Sequence, residues 1–148
     1  MPRIVREADV SWEGNLARGA GSLTAATSGA FAGLPYTLPT RIGAAEGRTS
    51  PEELLAAAHA GCYAMGLANE LTEAGTPPER LDVRCTVVMD EVEGLRHRIV
   101  SSAIAAQGRV PGATEESFAR AVQAADEGCP FSDLLKASAT VSIEATLL

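Results

Sequence analysis

The stretch TSPEELLAAAHAGCYAMGLANELTEAG, residues 49–75, divides a strand-like first third from a remainder that mixes strands and helices. It reads as a helix with both ends marked. Ser50 is the expected N-cap, Pro51 suits the first helical position, and Glu53 completes a capping box. Glu52 and Glu53 face the positive end of the helix dipole. Gly75, followed by Pro77 and Pro78, stops the helix. The span is about 24 residues, roughly 36 Å. Leu54, Ala58, Cys62, Met65 and Asn69 fall on one stripe, and Ala56, Ala57 and Ala60 keep the other faces small. So little polar surface in its first half predicts a central, buried helix. Cys62 is therefore expected to point into an interior or a pocket.

Working outward, the first 42 residues read as strands. RIVREADVSW, GSLTAATSG and FAGLPYTLP are separated by Gly-rich turns, and EGNLARGAGS is a hairpin loop that carries Arg18. On the other side, LDVRCTVVMDEV alternates, with Leu81, Val83, Cys85, Val87 and Met89 facing one way. HRIVSSAIAAQG is a weaker strand. TEESFARAVQAADEG is a second helix with Thr114 as N-cap, Phe118, Val122 and Ala125 as its stripe, and Gly128 at C′. CPFSDLLK starts a short helix with Pro130 at its first position. ASATVSIEATL is a strand with Val141, Ile143, Ala145 and Leu147 inward. The order βββ-α-ββ-α-(α)-β predicts the α+β class, as a single domain over 1–148. Its helices are expected on one face of a mostly antiparallel sheet, with the Cys62 helix central.

Composition narrows the function. Hydrophobic residues make up 46% of the 148, but aromatic ones only 4%, so the core must come from Ala, Val, Leu and Ile. Such thin layers favour burying more surface against a second copy. The net charge of −7, without a Lys/Arg cluster, argues against nucleic acid and anionic membrane surfaces. No apolar run approaches the ~20 residues of a membrane span. The opening MPRIVREADV lacks the apolar region of a secretory signal. Three cysteines fit neither a disulfide framework nor a zinc ribbon, which points to a reducing cytoplasm.

The three thiols read differently. Cys85, between Val83 and Val87, reads as a small buried hydrophobe. Cys129 is either a thiol favoured by a helix N-terminus or a small residue at a tight turn. Cys62 lies about three turns into its helix, beyond the reach of the dipole. Burial alone would raise its pKa and leave it inert, so a reactive Cys62 needs a cation, with Arg18 and Arg41 the candidates. His59 is either half of a Cys–His hydrolase pair or a packed imidazole. A zinc site from His59, Cys62 and Cys129 would lack a fourth ligand.

These motifs resemble the OsmC/Ohr family of organic hydroperoxide reductases, nearly from end to end. WEGNLARGAGS resembles the family's opening hairpin. TSPEELLAAAHAGCYAMGL resembles its central-helix signature, N-P-E-[EQ]-L followed by a Cys ten residues after the first Glu, with Ser50 in place of the usual Asn. GCPFSDLLKA resembles its second-Cys motif, and PGATEESFARAVQAADEG matches in length and pattern. AHAGCYAM is closer to the OsmC branch than to the Ohr branch, which usually carries Gly-Tyr in place of Ala-His.

The resemblance implies a peroxidatic Cys62 and a resolving Cys129, joined in the cycle as a redox-active disulfide. It implies that Arg18 steadies the thiolate and Glu52 pairs with that arginine. It further implies an intertwined homodimer with sites at the subunit interface and no metal or organic cofactor. The substrates would be organic hydroperoxides and the reductant a dithiol, such as a lipoyl group on a carrier protein. Tyr63, Met65, Phe31 and Phe131 are the expected lining of the alkyl pocket. Glu52 and Cys62 stand about 15 Å apart along one helix, so a single guanidinium cannot touch both. Glu52 of the partner subunit is therefore expected to meet Arg18. A Cys62–His59 thiol hydrolase and a non-enzymatic redox sensor on the same fold are the competing readings.

Overall fold

The computed structural model describes residues 1–94 and 96–148. It divides into two compact units, Met1–Pro51 and Glu52–Leu148.

In the first unit, β1 (Asp9–Glu13), β2 (Ala20–Thr24) and β3 (Leu34–Tyr36) form an antiparallel sheet in that order. Gly21 is in register with both Trp12 and Tyr36. A Cβ at Gly21 would collide with both rings, so its absence lets them pack 5.5 Å apart, centroid to centroid, tilted by 59°. Pro35 is tolerated because β3 is an edge strand. The strand expected over 31–39 gives way to helix α1 (Leu38–Ile42). Thr37 caps it by accepting from the Thr40 N–H at 3.2 Å, and Pro39 sits in the first turn. Proline's fixed φ suits a first helical turn better than a ladder.

The second unit is built on α2 (Pro51–Glu73). Its C-terminus closes as expected: Gly75 has φ +82°, and the Gly75 and Thr76 N–H groups return to the Thr72 and Leu71 carbonyls. The buried face differs from the expected stripe. His59, Tyr63, Leu67 and Leu71, four residues apart, point inward, whereas Met65 is 77% exposed and Asn69 is exposed. Within this chain α2 therefore buries one face, not its whole circumference. Alanines and glycines around the rest of the helix give the sequence little contrast. The bulk of Tyr63, Leu67 and Leu71 decides which way it turns.

β4 (Arg80–Val92) and β5 (Arg96–Arg109) form a long antiparallel pair with a register shift between Val88 and Met89. Helices α3 (Glu115–Glu127) and α4 (Pro130–Lys136) then return the chain to β6 (Thr140–Leu147). A crossover of this length lets β6 run parallel to β5, as it does, so this sheet is mixed. The strands thus form two three-stranded sheets, not one, and the α+β class stands. The alternating burial of β4 and β6 follows the sequence pattern. Thr114 caps α3 through a reciprocal box with Ser117. Gly128 ends α3 as the sequence predicts, with φ −90° in the right-handed region. Tyr63, Leu67 and Leu71 meet Ile104 and Ala106 of β5 and Phe118, Ala121 and Ala125 of α3 in one apolar cluster. Among the described residues, no helix is long and apolar enough to cross a membrane.

Candidate active site

Cys62 sits mid-helix on α2, half-buried at the edge of the apolar cluster. Cys129 is buried and is the N-cap of α4, so the turn between α3 and α4 fixes its position. That turn is held by Gly128 N–H on the Ala124 carbonyl at 2.9 Å and Cys129 N–H on the Asp126 carbonyl at 3.2 Å. The Lys136 ammonium clasps the Asp126 carboxylate at 2.6 Å, tying the far end of α4 back to α3. The Ser132 N–H donates to the Cys129 Sγ at 3.5 Å. Both thiols are free; Cys129 belongs to the buried apolar cluster, and Cys62 packs against that same cluster.

Electrostatics within the unit do not activate Cys62. Burial pushes its pKa up, the Cys129 thiol adds to the rise, and a hydrogen bond from the Phe131 backbone pulls against it. The requirement for an external cation, reached from helix position alone, is therefore sharper. Glu52 lies half-buried in the first turn of α2. Arg18 is exposed in the β1–β2 loop of the other unit, where its N–H donates to Asn15 Oδ1 at 2.9 Å. Arg41 lies in the last turn of α1 and is exposed.

Of the four residues expected to line a pocket, Phe131 is half-buried on α4 beside Cys62, and Phe31 is half-buried in the first unit. Tyr63 belongs to the core instead: it is 0% exposed and its hydroxyl donates to the Val122 carbonyl at 3.2 Å. Met65 points outward on α2.

His59 does not pair with Cys62. Its ring is fully buried, with Nδ1 2.7 Å from Ser102 Oγ and Nε2 2.8 Å from Ser132 Oγ. Its thiol neighbour is Cys85, whose Sγ is 3.7 Å from Nδ1 and 3.2 Å from Ser102 Oγ. Burial lowers the His59 pKa, and Asp126 and Lys136 act in opposite senses on it. The imidazole is thus a neutral bridge from β5 to α4, the packed reading rather than the hydrolase one. Cys85 is correspondingly less apolar in its surroundings than its strand position suggests. Nothing in the sequence marked Ser102 or Ser132, which lie 43 and 73 residues from His59.

The description "OsmC-like protein" matches residues 43–144 of this chain. Peroxiredoxin OsmC of Escherichia coli (strain K12) is 36% identical over 141 residues, 95% of this chain and 96% of its own length. The organic hydroperoxide resistance protein OsmC of Legionella pneumophila superposes with a TM-score of 0.73 at 19% identity, covering 99% of this chain and 100% of its own. OhrB of Bacillus subtilis superposes with a TM-score of 0.71 at 24% identity, covering 94% of this chain and 97% of its own.

Proposed function

We propose, from the premise that this chain belongs to the OsmC-like protein family, that it is a peroxiredoxin-type enzyme that reduces organic hydroperoxides. The observation that supports the reading is a mid-helix Cys62 packed against the apolar cluster that contains Cys129, the N-cap of α4. Two thiols within reach of each other, both free, suit a cycle that closes and reopens one disulfide.

In this cycle the Cys62 thiolate attacks the outer peroxide oxygen, and the alkoxide leaves and is protonated to the alcohol. Cys62 is left as a sulfenic acid. Cys129 then attacks the Cys62 sulfur, water departs, and a disulfide forms. A dithiol reductant, such as a lipoyl group on a carrier protein, restores both thiols by exchange. Since burial opposes ionisation of Cys62, a cation must offset it. Arg18 is assigned that task and also the stabilisation of the departing alkoxide. Glu52 orients the guanidinium. The working unit is a homodimer of single 148-residue domains in the reducing cytoplasm, protecting it against oxidative stress.

The test is peroxide consumption with a dithiol donor. The expected result is faster turnover of an alkyl hydroperoxide than of hydrogen peroxide, and none with Cys62→Ser. Cys129→Ser should complete a first turnover and then stall, with Cys62 appearing by mass spectrometry as sulfinic or sulfonic acid. An unaltered multiple-turnover rate in that variant would remove Cys129 from the resolving role.

A further inference from the structure

A buried imidazole with both nitrogens engaged is unusual material for an apolar core. An apolar trio in place of His59, Ser102 and Ser132 would fill the same space without desolvating polar groups. Such a trio would lack direction. A neutral imidazole donates from one nitrogen and accepts at the other, so it fixes the orientation of each serine hydroxyl. Ser132 is held twice: its Oγ meets His59 Nε2 at 2.8 Å, and its N–H meets the Cys129 Sγ at 3.5 Å. On the other side of the ring, Ser102 Oγ at 2.7 Å ties the imidazole to β5, and Cys85 Sγ at 3.2 Å packs behind that serine. A continuous path therefore runs from the sheet through α2 to the turn that carries Cys129.

We propose that His59 is a positioning residue for the resolving step: through Ser132 it holds the first turn of α4, and with it the Cys129 thiol, in line for attack on the Cys62 sulfur. The proposal rests on the assignment of Cys62 and Cys129 as the reacting pair. It does not require that peroxide be the oxidant. Disulfide closure needs Cys129 to approach a sulfur on α2 along the axis of the bond being broken. His59 lies three residues from Cys62 on that same helix. One rigid element thus carries both the target and the anchor of the attacker, and loosening the anchor lowers the fraction of time spent in line.

The experiment separates closure from peroxide chemistry by using an aromatic disulfide whose thiolate absorbs visibly. Attack by Cys62 releases one aromatic thiolate and leaves a mixed disulfide. Attack by Cys129 on the Cys62 sulfur releases the second, and peptide mapping confirms the Cys62–Cys129 bond. His59→Asn places an amide near the Nδ1 position and abandons Ser132, whereas His59→Gln reaches toward Ser132 and abandons Ser102. His59→Asn and Ser132→Ala should each slow the second release relative to the first by roughly tenfold, the equivalent of one hydrogen bond. His59→Gln should recover most of that ratio. A purely structural role would slow the Asn and Gln variants alike, and that result would overturn the proposal. So would an unchanged ratio in Ser132→Ala, which removes a single oxygen and remains decisive if His59→Asn fails to fold. Absence of a second release from the wild-type protein would also overturn it. A wild-type protein that closes its disulfide in two stages but does not consume alkyl hydroperoxide would refute the peroxidase reading and leave the positioning role standing.

Discussion

Cys85 packs against a serine hydroxyl and an imidazole, not against an all-apolar wall. Cys85→Ser should therefore be tolerated, because the new hydroxyl has partners where a buried unpaired one would be costly. The expected change in unfolding free energy is within about 1 kcal/mol, with turnover mostly retained, as read by denaturant melts and peroxide assays. A loss of activity with the fold intact would show that Cys85 belongs to the chemistry. His59 gives a pH signature. Its pKa is lowered in the folded state, so below its ordinary value near ~6.5 the unfolded chain binds the extra proton and the folded one does not. Stability should fall as pH drops below that value, with a slope of at most about 1.4 kcal/mol per pH unit from this group. Comparing melts at neutral and acid pH for the wild type and His59→Gln checks it: the variant should lose less.

At the scale of elements, the ends of helices are better written in the sequence than their faces. Gly75 closes α2 at φ +82° with open space where a Cβ would stand, so Gly75→Ala carries backbone strain without a steric clash. That should cost about 1 kcal/mol, read as a lowered Tm with activity unchanged. The face of α2 was harder to read, because alanines and glycines surround it almost evenly. The expected stripe through Cys62 and Met65 lost to the one through Tyr63, Leu67 and Leu71, whose larger side chains gain more by burial. α1 is too short to show a periodicity, since it has five residues; its cue in the sequence is the pair Thr37 and Pro39.

For the whole molecule, the dimer and the assignment of Arg18 are tested together. Arg18→Ala should raise the Cys62 pKa further, since burial then acts without an opposing charge. The pH dependence of Cys62 alkylation reads this, and an unchanged profile would shift the role to Arg41. Mixed dimers decide where Glu52 acts. If Arg18 of one protomer pairs with Glu52 of the partner subunit, placing Arg18→Ala and Glu52→Ala on different chains spares one site, and about half the activity survives. Placing both on one chain then damages both sites. The reverse pattern, or an active monomer by sedimentation, would refute the cross-chain pairing.

The chain's own letters determined the α+β class, the two cysteine motifs, the cap at Thr114, the first helical position at Pro130 and the alternation of β4 and β6. Each of these is local: a cap, a turn or a strand repeat is set by residues within one or two turns of each other. Tertiary structure decided the division into two sheets and the parallel pairing of β6, which depend on where a crossover returns. It also decided that His59 serves Ser102 and Ser132 instead of Cys62. Hydrogen bonds across 43 and 73 residues leave no periodicity behind, since their partners meet only after the helices and sheet have packed.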